Sequence, residues 1–184
     1  IYCLDSDNYF APDSVAPILE FLQTYELDGA VFHDRRFFSG TNSKRFHSHM
    51  NPLLTRPITL ADIFSIHANV LLDNFFFTRK AYQKTAGYPE NHGFDTQCFE
   101  LRFLAAGNRA MVCPGSIFYH RQDPGHNSYF QRVYKSGLFS RNMYLICEDI
   151  MFLLAPTTRA LIMTFDVFKK SKLDTHNLKA TLDK

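Results

Sequence analysis

The apolar and polar positions of this chain alternate between short hydrophobic runs and helical stripes, a pattern typical of an α/β fold. The first run, Ile1-Tyr2-Cys3-Leu4, ends abruptly at Asp5-Ser6-Asp7-Asn8. A run of this kind predicts a buried parallel strand that meets a functional loop. We therefore expect the chain to start inside a domain, at this strand, with the earlier strands of the sheet absent.

Further along the chain, the spacing of apolar residues predicts alternating helices and strands. Apolar residues at i, i+3, i+4 and i+7 from Val15 predict a helix, with Asp13 or Ser14 as its N-cap. Helices are also predicted over residues 59–67, 79–86 and 95–106, and strands over residues 29–33, 110–113 and 117–119. The strongly apolar run over residues 69–78 indicates a strand, with a helix as the alternative. Together these elements predict a mixed sheet flanked by helices.

Two segments do not follow this alternation. Residues 35–57 are polar and basic, and we expect a long excursion there, either a solvated loop or an anion-binding flap over a site. From residue 127 the pattern is mostly helical. We therefore divide the chain into an α/β portion, residues 1–140, and a C-terminal helical extension, residues 141–184.

Composition and charge narrow the class of protein. Of the 184 residues, 46% are hydrophobic and 21% are charged, which is a globular composition and argues against disorder. The net charge of 20 − 18 = +2 is too small to indicate a nucleic-acid-binding surface. The four cysteines are scattered and form no Cys-x-x-Cys pair. We therefore expect reduced thiols and a cytoplasmic location, without a disulfide scaffold or a cysteine zinc site.

The sharpest local motif is Asp5-Ser6-Asp7. Two carboxylates separated by one residue, just after a strand, can bind Mn²⁺ or Mg²⁺. Open α/β sheets also bind their ligands at the ends of strands. The alternative is a solvated turn in which Asp7 and Asn8 accept hydrogen bonds from backbone amides.

Four later residues could also take part in chemistry. Asp95 precedes a predicted helix, where it could be the N-cap, a general base, or both. His120 and Arg121 follow a predicted strand, where the imidazole could bind a metal and the guanidinium a phosphate. The alternative is a surface His-Arg pair. His126, in the turn that follows, is a rival metal ligand.

Taken in order, four groups of residues resemble the GT-A glycosyltransferases, particularly the family-2-like group that uses nucleotide-sugar donors. The likeness covers residues 1–140. The four groups are the strand and Asp5-Ser6-Asp7 with the helix after Pro12; Asn74 with Phe77-Thr78-Arg79-Lys80 and Ala86-Gly87-Tyr88-Pro89-Glu90; Asp95 with Arg102 and Gly107; and Pro114 with Tyr119-His120-Arg121.

This resemblance implies the transfer of a sugar from a nucleoside diphosphate sugar, a UDP-sugar first of all, to the hydroxyl of a glycan or lipid-linked acceptor. Asp7 and His120 would bind Mn²⁺ or Mg²⁺, and Asp5 would contact the ribose of the donor or metal-bound water. Arg121 would bind donor phosphate. Asp95 would be the catalytic base of an inverting displacement.

The chain departs from the family at two points, and two other interpretations stay open. Phe94-Asp95 stands where the family often has Glu-Asp, and the units that hold the nucleotide base have no counterpart. A haloacid-dehalogenase-type phosphatase also begins at a strand that ends in Asp-x-Asp, although Phe10 does not match that family. A non-catalytic glycan-binding or assembly domain would lack the carboxylates that stand at Asp5, Asp7 and Asp95.

The C-terminal region has apolar stripes beside Lys169-Lys170, and Ile146 and Ile150 belong to the first of them. Such stripes either pack on a core or lie on an anionic membrane surface, where lipid-linked acceptors reside. Charged residues and a proline interrupt the region, so we do not expect it to span a membrane.

Overall fold

The structure is a computed structural model that describes residues 1–5, 8–39, 44–64, 74–89 and 95–121, together with Arg132, Leu145 and Ile150. Within these residues, one open mixed sheet is flanked by helices on both faces. The α/β fold class predicted from the sequence is therefore confirmed.

Five strands of the described residues form the sheet. They are β1 (Tyr9–Phe10), β2 (Gly29–Ser39), β3 (Lys44–Met50), β4 (Phe76–Phe77) and β5 (Ala110–Arg121). β2 and β5 are parallel, whereas β1 pairs antiparallel with β5. β4 pairs with the beginning of β2, and β3 pairs antiparallel with its end, so both lie along one edge of β2. β4 is the described part of the strand predicted over residues 69–78.

The helices are α1 (Val15–Thr24), α2 (Leu60–Phe64), α3 (Arg79–Lys84) and α4 (Asp95–Ala105). Thr78 caps α3, because its hydroxyl accepts a hydrogen bond from the Ala81 amide at 3.1 Å. Ser14 occupies the N-cap position of α1 but makes no side-chain cap bond. Its Oγ accepts instead from the Ile117 amide, at 3.4 Å.

The larger part of the core lies between the sheet and the helices α2, α3 and α4. Phenylalanine rings dominate it: Phe75, Phe77, Phe99 and Phe103 are almost fully buried, and the Phe77 and Phe99 rings lie 4.8 Å apart. Ile150, which has helical backbone, is also fully buried there. At this position the first C-terminal stripe packs on the core. The other residues of that region lie outside the described part, Arg132 and Leu145 excepted.

The smaller part of the core lies on the face covered by α1. Ile18 of that helix packs against a group of aromatic rings that includes Phe32 and Phe118, whose centroids are 5.2 Å apart. Tyr2 joins the group through Phe10, at 4.8 Å. This aromatic group lies next to the acidic motif along the chain.

The first residues do not form the buried parallel strand that the sequence predicts. Ile1 and Phe77 exchange two backbone hydrogen bonds, at 2.6 and 3.0 Å, as in an antiparallel pair. Ile1 and Leu4 are about half exposed, at 52% and 45%, and only Tyr2 packs on the aromatic rings. The prediction was wrong because an apolar run does not reveal the direction of its partner, which here is β4.

Residues 35–57 are not the long loop that their polarity suggests. Arg35 to Ser39 continue β2, and β3 pairs with them as a hairpin. Since side chains alternate along a strand, Arg35 and Phe37 lie on one face while Arg36 and Phe38 lie on the other. Because Arg35 and Arg36 place a charged residue on each face, the sequence shows no apolar-polar alternation there, and the prediction of a loop was wrong.

β5 is a single strand where two were predicted. The residues between the two predicted strands form a bulge, and the pairing with β2 continues on both sides of it. Residues 114–116 lie opposite His33 alone. Gly115 has a φ of 74°, in the left-handed region that favours glycine. The Ser116 hydroxyl bridges the gap: it accepts from the His33 amide at 3.0 Å and donates to the Cys113 carbonyl at 2.7 Å. The bulge carries the strand on towards its end at Arg121.

Candidate functional site

The acidic motif begins in a turn just before β1. The Asp5 carbonyl accepts a hydrogen bond from the Asn8 amide at 3.1 Å. Its carboxylate oxygen Oδ2 accepts from the side-chain amides of Asn8 at 3.0 Å and Asn74 at 3.2 Å. These contacts orient the Asp5 carboxylate. Ser6 and Asp7 lie outside the described residues, so the part of Asp7 in metal binding stays a prediction.

Asn8 joins this turn to the end of β5. Its side chain is 7% exposed, and its Oδ1 accepts from the Arg121 backbone amide at 2.9 Å. Tyr9 pairs with Tyr119, so the acidic turn lies alongside the end of the strand. Sequence reasoning considered Asn8 as an acceptor for a backbone amide but missed this bridge. The available signal was an Asn between an acidic motif and a strand.

His120 and Arg121 lie beside the acidic turn but on opposite faces of the sheet. The His120 ring contacts the rings of Phe37 and Phe118, at centroid distances of 5.3 and 6.2 Å. Arg121 is exposed at the end of β5, and alternation along the strand turns its side chain to the other face. His126, the rival metal ligand, lies outside the described residues.

Asp95 is exposed and is the first residue of α4, as the sequence predicts. Its Oδ1 accepts a hydrogen bond from the Thr96 amide at 2.9 Å, which orients the carboxylate at the start of the helix. Tyr88 links Asp95 to the chain segment that carries Asp5. Tyr88 lies close enough to both Cys3 and Asp95 for their charges to act on its hydroxyl. Burial is the main cause of the raised pKa of Tyr88.

Beneath these residues lies a polar group that we call the Arg35–Glu100 crevice, formed by Tyr2, Arg35, His49 and Glu100. Arg35 of β2 is close enough to Glu100 and Tyr2 for its charge to act on both. Burial is the larger effect on Arg35 and lowers its pKa to about 10. Burial also raises the pKa of Glu100 well above its ordinary value, although Arg35 opposes this shift.

Sequence reasoning missed both charged members of this crevice. Arg35 was assigned to a loop, and Glu100 was passed over inside the predicted helix. The signal for Glu100 was a single carboxylate between Phe99 and Leu101 on a largely apolar stretch. Because burying a charged group is costly unless it is paired, a carboxylate among buried residues indicates a specific role.

The divalent-cation site predicted from the sequence lies only partly within the described residues, because His120 is described and Asp7 is not. Carboxylate oxygens suit Mg²⁺ and Mn²⁺, and an added imidazole fits Mn²⁺ better, since Mg²⁺ prefers oxygen ligands. In the part of the chain that the structure describes, no three His, Cys, Asp or Glu side chains lie together as a metal site would require. The sequence assigns the cation to Asp7 and His120, so the metal site stays a prediction.

Two searches by sequence and one by structure compare this chain with known proteins. No family model and no curated protein matches it by sequence. Among solved structures it is similar to S. aureus TarS 1–349 in complex with UDP-GlcNAc, with a TM-score of 0.58 and 14% identity. That superposition covers 93% of this chain and 48% of TarS 1–349.

Two other TarS structures give the same result. A second crystal structure of S. aureus TarS 1–349 has a TM-score of 0.57 and 14% identity, covering 93% of this chain and 46% of TarS 1–349. A longer S. aureus TarS chain has a TM-score of 0.56 and 17% identity, covering 87% of this chain and 26% of its own length. This chain therefore has a glycosyltransferase-like fold and spans about half the length of TarS 1–349. Among the helices of the described residues, none combines the length and apolarity needed to cross a membrane.

Proposed function

We propose that this chain is the transfer portion of a glycosyltransferase, which moves a sugar from a nucleoside diphosphate sugar to an acceptor hydroxyl. One observation carries the proposal: the Asp5 turn is hydrogen-bonded through Asn8 to the end of β5. Tyr88 adds to it, because it lies close both to Cys3 of the same segment and to Asp95. The fold supports it, because TarS is a glycosyltransferase and one of its structures holds UDP-GlcNAc. This likeness favours a glycosyltransferase over the phosphatase alternative.

On the donor side, the proposal gives each residue at the end of β5 a part. Asp7 and His120 would hold Mn²⁺ or Mg²⁺, and Asp5 would bind the ribose of a UDP-sugar. Arg121 would reach the phosphates around the end of the strand. A divalent cation, when bound, would stabilise negative charge on the departing diphosphate.

On the acceptor side, Asp95 is the proposed base. The hydroxyl oxygen of a glycan or lipid-linked acceptor bonds to the anomeric carbon, and its proton passes to the Asp95 carboxylate. The bond from that carbon to the diphosphate oxygen breaks, and its electron pair leaves with the nucleoside diphosphate. A single displacement of this kind inverts the anomeric centre. General-base assistance contributes roughly 10²–10⁴-fold in rate.

The change Asp95→Asn tests this proposal in the intact protein with UDP-GlcNAc and Mn²⁺. We expect turnover, measured as UDP release, to fall by roughly 100-fold or more, because an amide does not accept the proton. Donor affinity and melting temperature should stay unchanged, since Asn also caps helices well. The matched control is Asp13→Asn, because Asp13 is exposed and has a φ of 61°, which Asn tolerates.

Two results would contradict the proposal. A stable Asp95→Asn variant with normal UDP release would remove Asp95 as the base. A wild-type protein that binds no UDP and releases none from UDP-sugars would remove the glycosyltransferase assignment itself.

A further inference from the structure

Three buried polar atoms surround Arg35 without a hydrogen-bond partner among the described residues. They are Tyr2 Oη, His49 Nε2 and Glu100 Oε1. The Arg35 charge acts on Tyr2 and Glu100, and His49 lies directly opposite Arg35 in the pairing of β2 with β3. Because roughly 90% or more of buried polar groups in proteins are paired, three such atoms close together leave hydrogen-bonding capacity that a ligand can use.

The crevice is crowded but reachable. Glu100 is 6% exposed, whereas Arg35 keeps an intermediate exposure although the atoms around it lower its pKa. Arg35 therefore lies among buried polar atoms while part of its side chain stays open to solvent. Its neighbours lead to the candidate site on two sides, because Tyr2 is close to Asp5 and Tyr88 is close to Glu100.

The chemistry of the crevice decides what kind of group fits it. A guanidinium and a phenol donate hydrogen bonds, and a carboxyl accepts them, so the crevice offers donors and acceptors together. A hydroxyl also both donates and accepts, and a sugar ring carries several hydroxyls close together. A phosphate fits less well because the Glu100 carboxyl lies beside Arg35. An apolar group would leave the three polar atoms unpaired.

We propose that the Arg35–Glu100 crevice binds hydroxyl groups of the sugar carried by the donor, and that Arg35 and Glu100 determine which sugar is accepted. This inference rests on the proposed glycosyltransferase function and extends it to a sugar subsite. A site that pairs its buried polar groups with substrate hydroxyls discriminates strongly against sugars that present them differently.

Two donors that differ only in the orientation of one hydroxyl, UDP-GlcNAc and UDP-GalNAc, test the proposal. The measured quantity is the ratio of kcat/KM for the two donors, in the intact protein with Mn²⁺. In Glu100→Met and Arg35→Lys we expect this ratio to move at least about tenfold towards one, the effect of losing one hydrogen bond. Affinity for UDP alone should not change, since UDP carries no sugar in the crevice.

Conservative and neighbouring variants are the controls. Glu100→Gln keeps a donor and an acceptor at the same position, so it should keep the wild-type ratio. Arg36→Lys should also keep it, because Arg36 lies on the other face, bonded to Asp34 and Tyr119.

A measurement on the wild type removes the dependence on how the variants fold. Phenylglyoxal modifies accessible arginines, and mass spectrometry of peptides reports modification at Arg35 and Arg36 separately. We expect UDP-GlcNAc to slow modification of Arg35 while UDP alone does not, and we expect Arg36 to be slowed by neither.

The possible outcomes separate this inference from the function beneath it. An unchanged donor ratio in Glu100→Met and Arg35→Lys, or no protection of Arg35 by UDP-GlcNAc, would mean that the crevice holds only water. A change in acceptor KM without a change in donor ratio would assign the crevice to the acceptor instead. Either result overturns the sugar subsite while leaving the proposed function in place, whereas a wild type without UDP binding overturns both.

Discussion

A buried carboxyl group lies near each end of β5, and the two groups differ in their hydrogen bonds and in the direction of their pKa shifts. One end is near Ala110, the first residue of β5, whose carbonyl accepts a hydrogen bond from the Ile58 amide at 2.8 Å. There the Asp62 carboxylate makes a full set of hydrogen bonds. It accepts from two nitrogens of Arg56 at 2.6 and 2.8 Å, and from the amide and hydroxyl of Thr59 at 2.8 and 2.7 Å. These bonds, that from Arg56 foremost, lower the pKa of Asp62 to about 2.

Towards the other end, Glu100 is equally buried but one of its oxygens makes no bond within the described residues. Its pKa is shifted upwards, because burial outweighs the attraction of Arg35. A carboxyl with all its bonds made stabilises the fold, whereas one with open bonds costs stability and is available to a ligand. The comparison separates the structural end of the sheet from its candidate functional end. The same change, carboxylate to amide, tests it at each place.

The largest effect is expected from Asp7→Asn at the functional end. The amide keeps the shape of the side chain and loses its charge, so Mn²⁺-dependent binding of a UDP-sugar should weaken by roughly 100-fold or more. Loss of a mere supporting residue of a metal site already costs about 10–100-fold. Isothermal titration with UDP-GlcNAc, with Mn²⁺ and with EDTA, measures this change, and the melting temperature should stay constant.

The variant His120→Ala, measured in the same titration, compares the contribution of His120 to donor binding with that of Asp7. As one ligand among several, His120 should contribute less than Asp7, so its loss should weaken binding less severely. Unchanged Mn²⁺-dependent affinity in Asp7→Asn would remove the metal site from the functional end. Unchanged affinity and turnover in His120→Ala would remove only that ligand.

A moderate effect, on stability and not on binding or turnover, is expected from Asp62→Asn at the structural end. A neutral amide accepts weaker hydrogen bonds from Thr59 than a carboxylate does. The ion pair with the exposed Arg56 adds little to the free energy of unfolding. We expect a loss of about 1 kcal/mol in the free energy of unfolding, or about 2–4 °C in melting temperature. Turnover should be unaffected.

The pH dependence of this variant checks the cause. A carboxyl with a lowered pKa stabilises the folded protein above its unfolded pKa of about 3.9, and the gain is lost as the pH falls towards 2. Thermal melts between pH 2 and pH 6 should therefore show a smaller acid destabilisation in Asp62→Asn than in the wild type. Reduced turnover with unchanged stability would contradict the comparison between the two ends.

An effect no larger than this, but of opposite sign, is expected from Glu100→Gln. A carboxyl with a raised pKa keeps its proton longer in the folded protein, so its stability falls as the pH rises above about 4.3. The amide does not ionise. We expect Glu100→Gln to melt with the wild type at pH 4 and about 2–4 °C above it at pH 7. A lower melting temperature at pH 7 would mean that Glu100 is a charged structural partner of Arg35, like Asp62 for Arg56.

Local patterns in the sequence were sufficient for part of this fold. Apolar spacing predicted α1, α3 and α4 within two residues of their ends, and it predicted Asp95 at the start of a helix. The acidic motif was also recognised, together with a backbone amide as a partner for Asn8. These features depend on residues that are close together in the chain.

The features that sequence reasoning missed depend on distant contacts. Ile1 pairs with a residue 76 positions away, so neither its direction nor its exposure follows from an apolar run. Arg35 belongs to a strand because β3 and β5 pair with it, and nothing local distinguishes it from an arginine in a loop. The burial of Glu100 likewise requires the sheet beneath α4. The Arg35–Glu100 crevice is therefore harder to predict from the sequence than the helices around it.

The bulge in β5 determines which side of the sheet each later residue of that strand occupies. Cys113 and Phe118 are five positions apart, yet both pack in the core against α1. A regular strand would turn residues an odd number apart to opposite faces, so residues 114–116 reverse the parity of the strand. Deleting or inserting one residue there would exchange the faces of His120 and Arg121 without altering either side chain. Length variants of two residues would preserve them, so homologous chains should tolerate only even changes at this point.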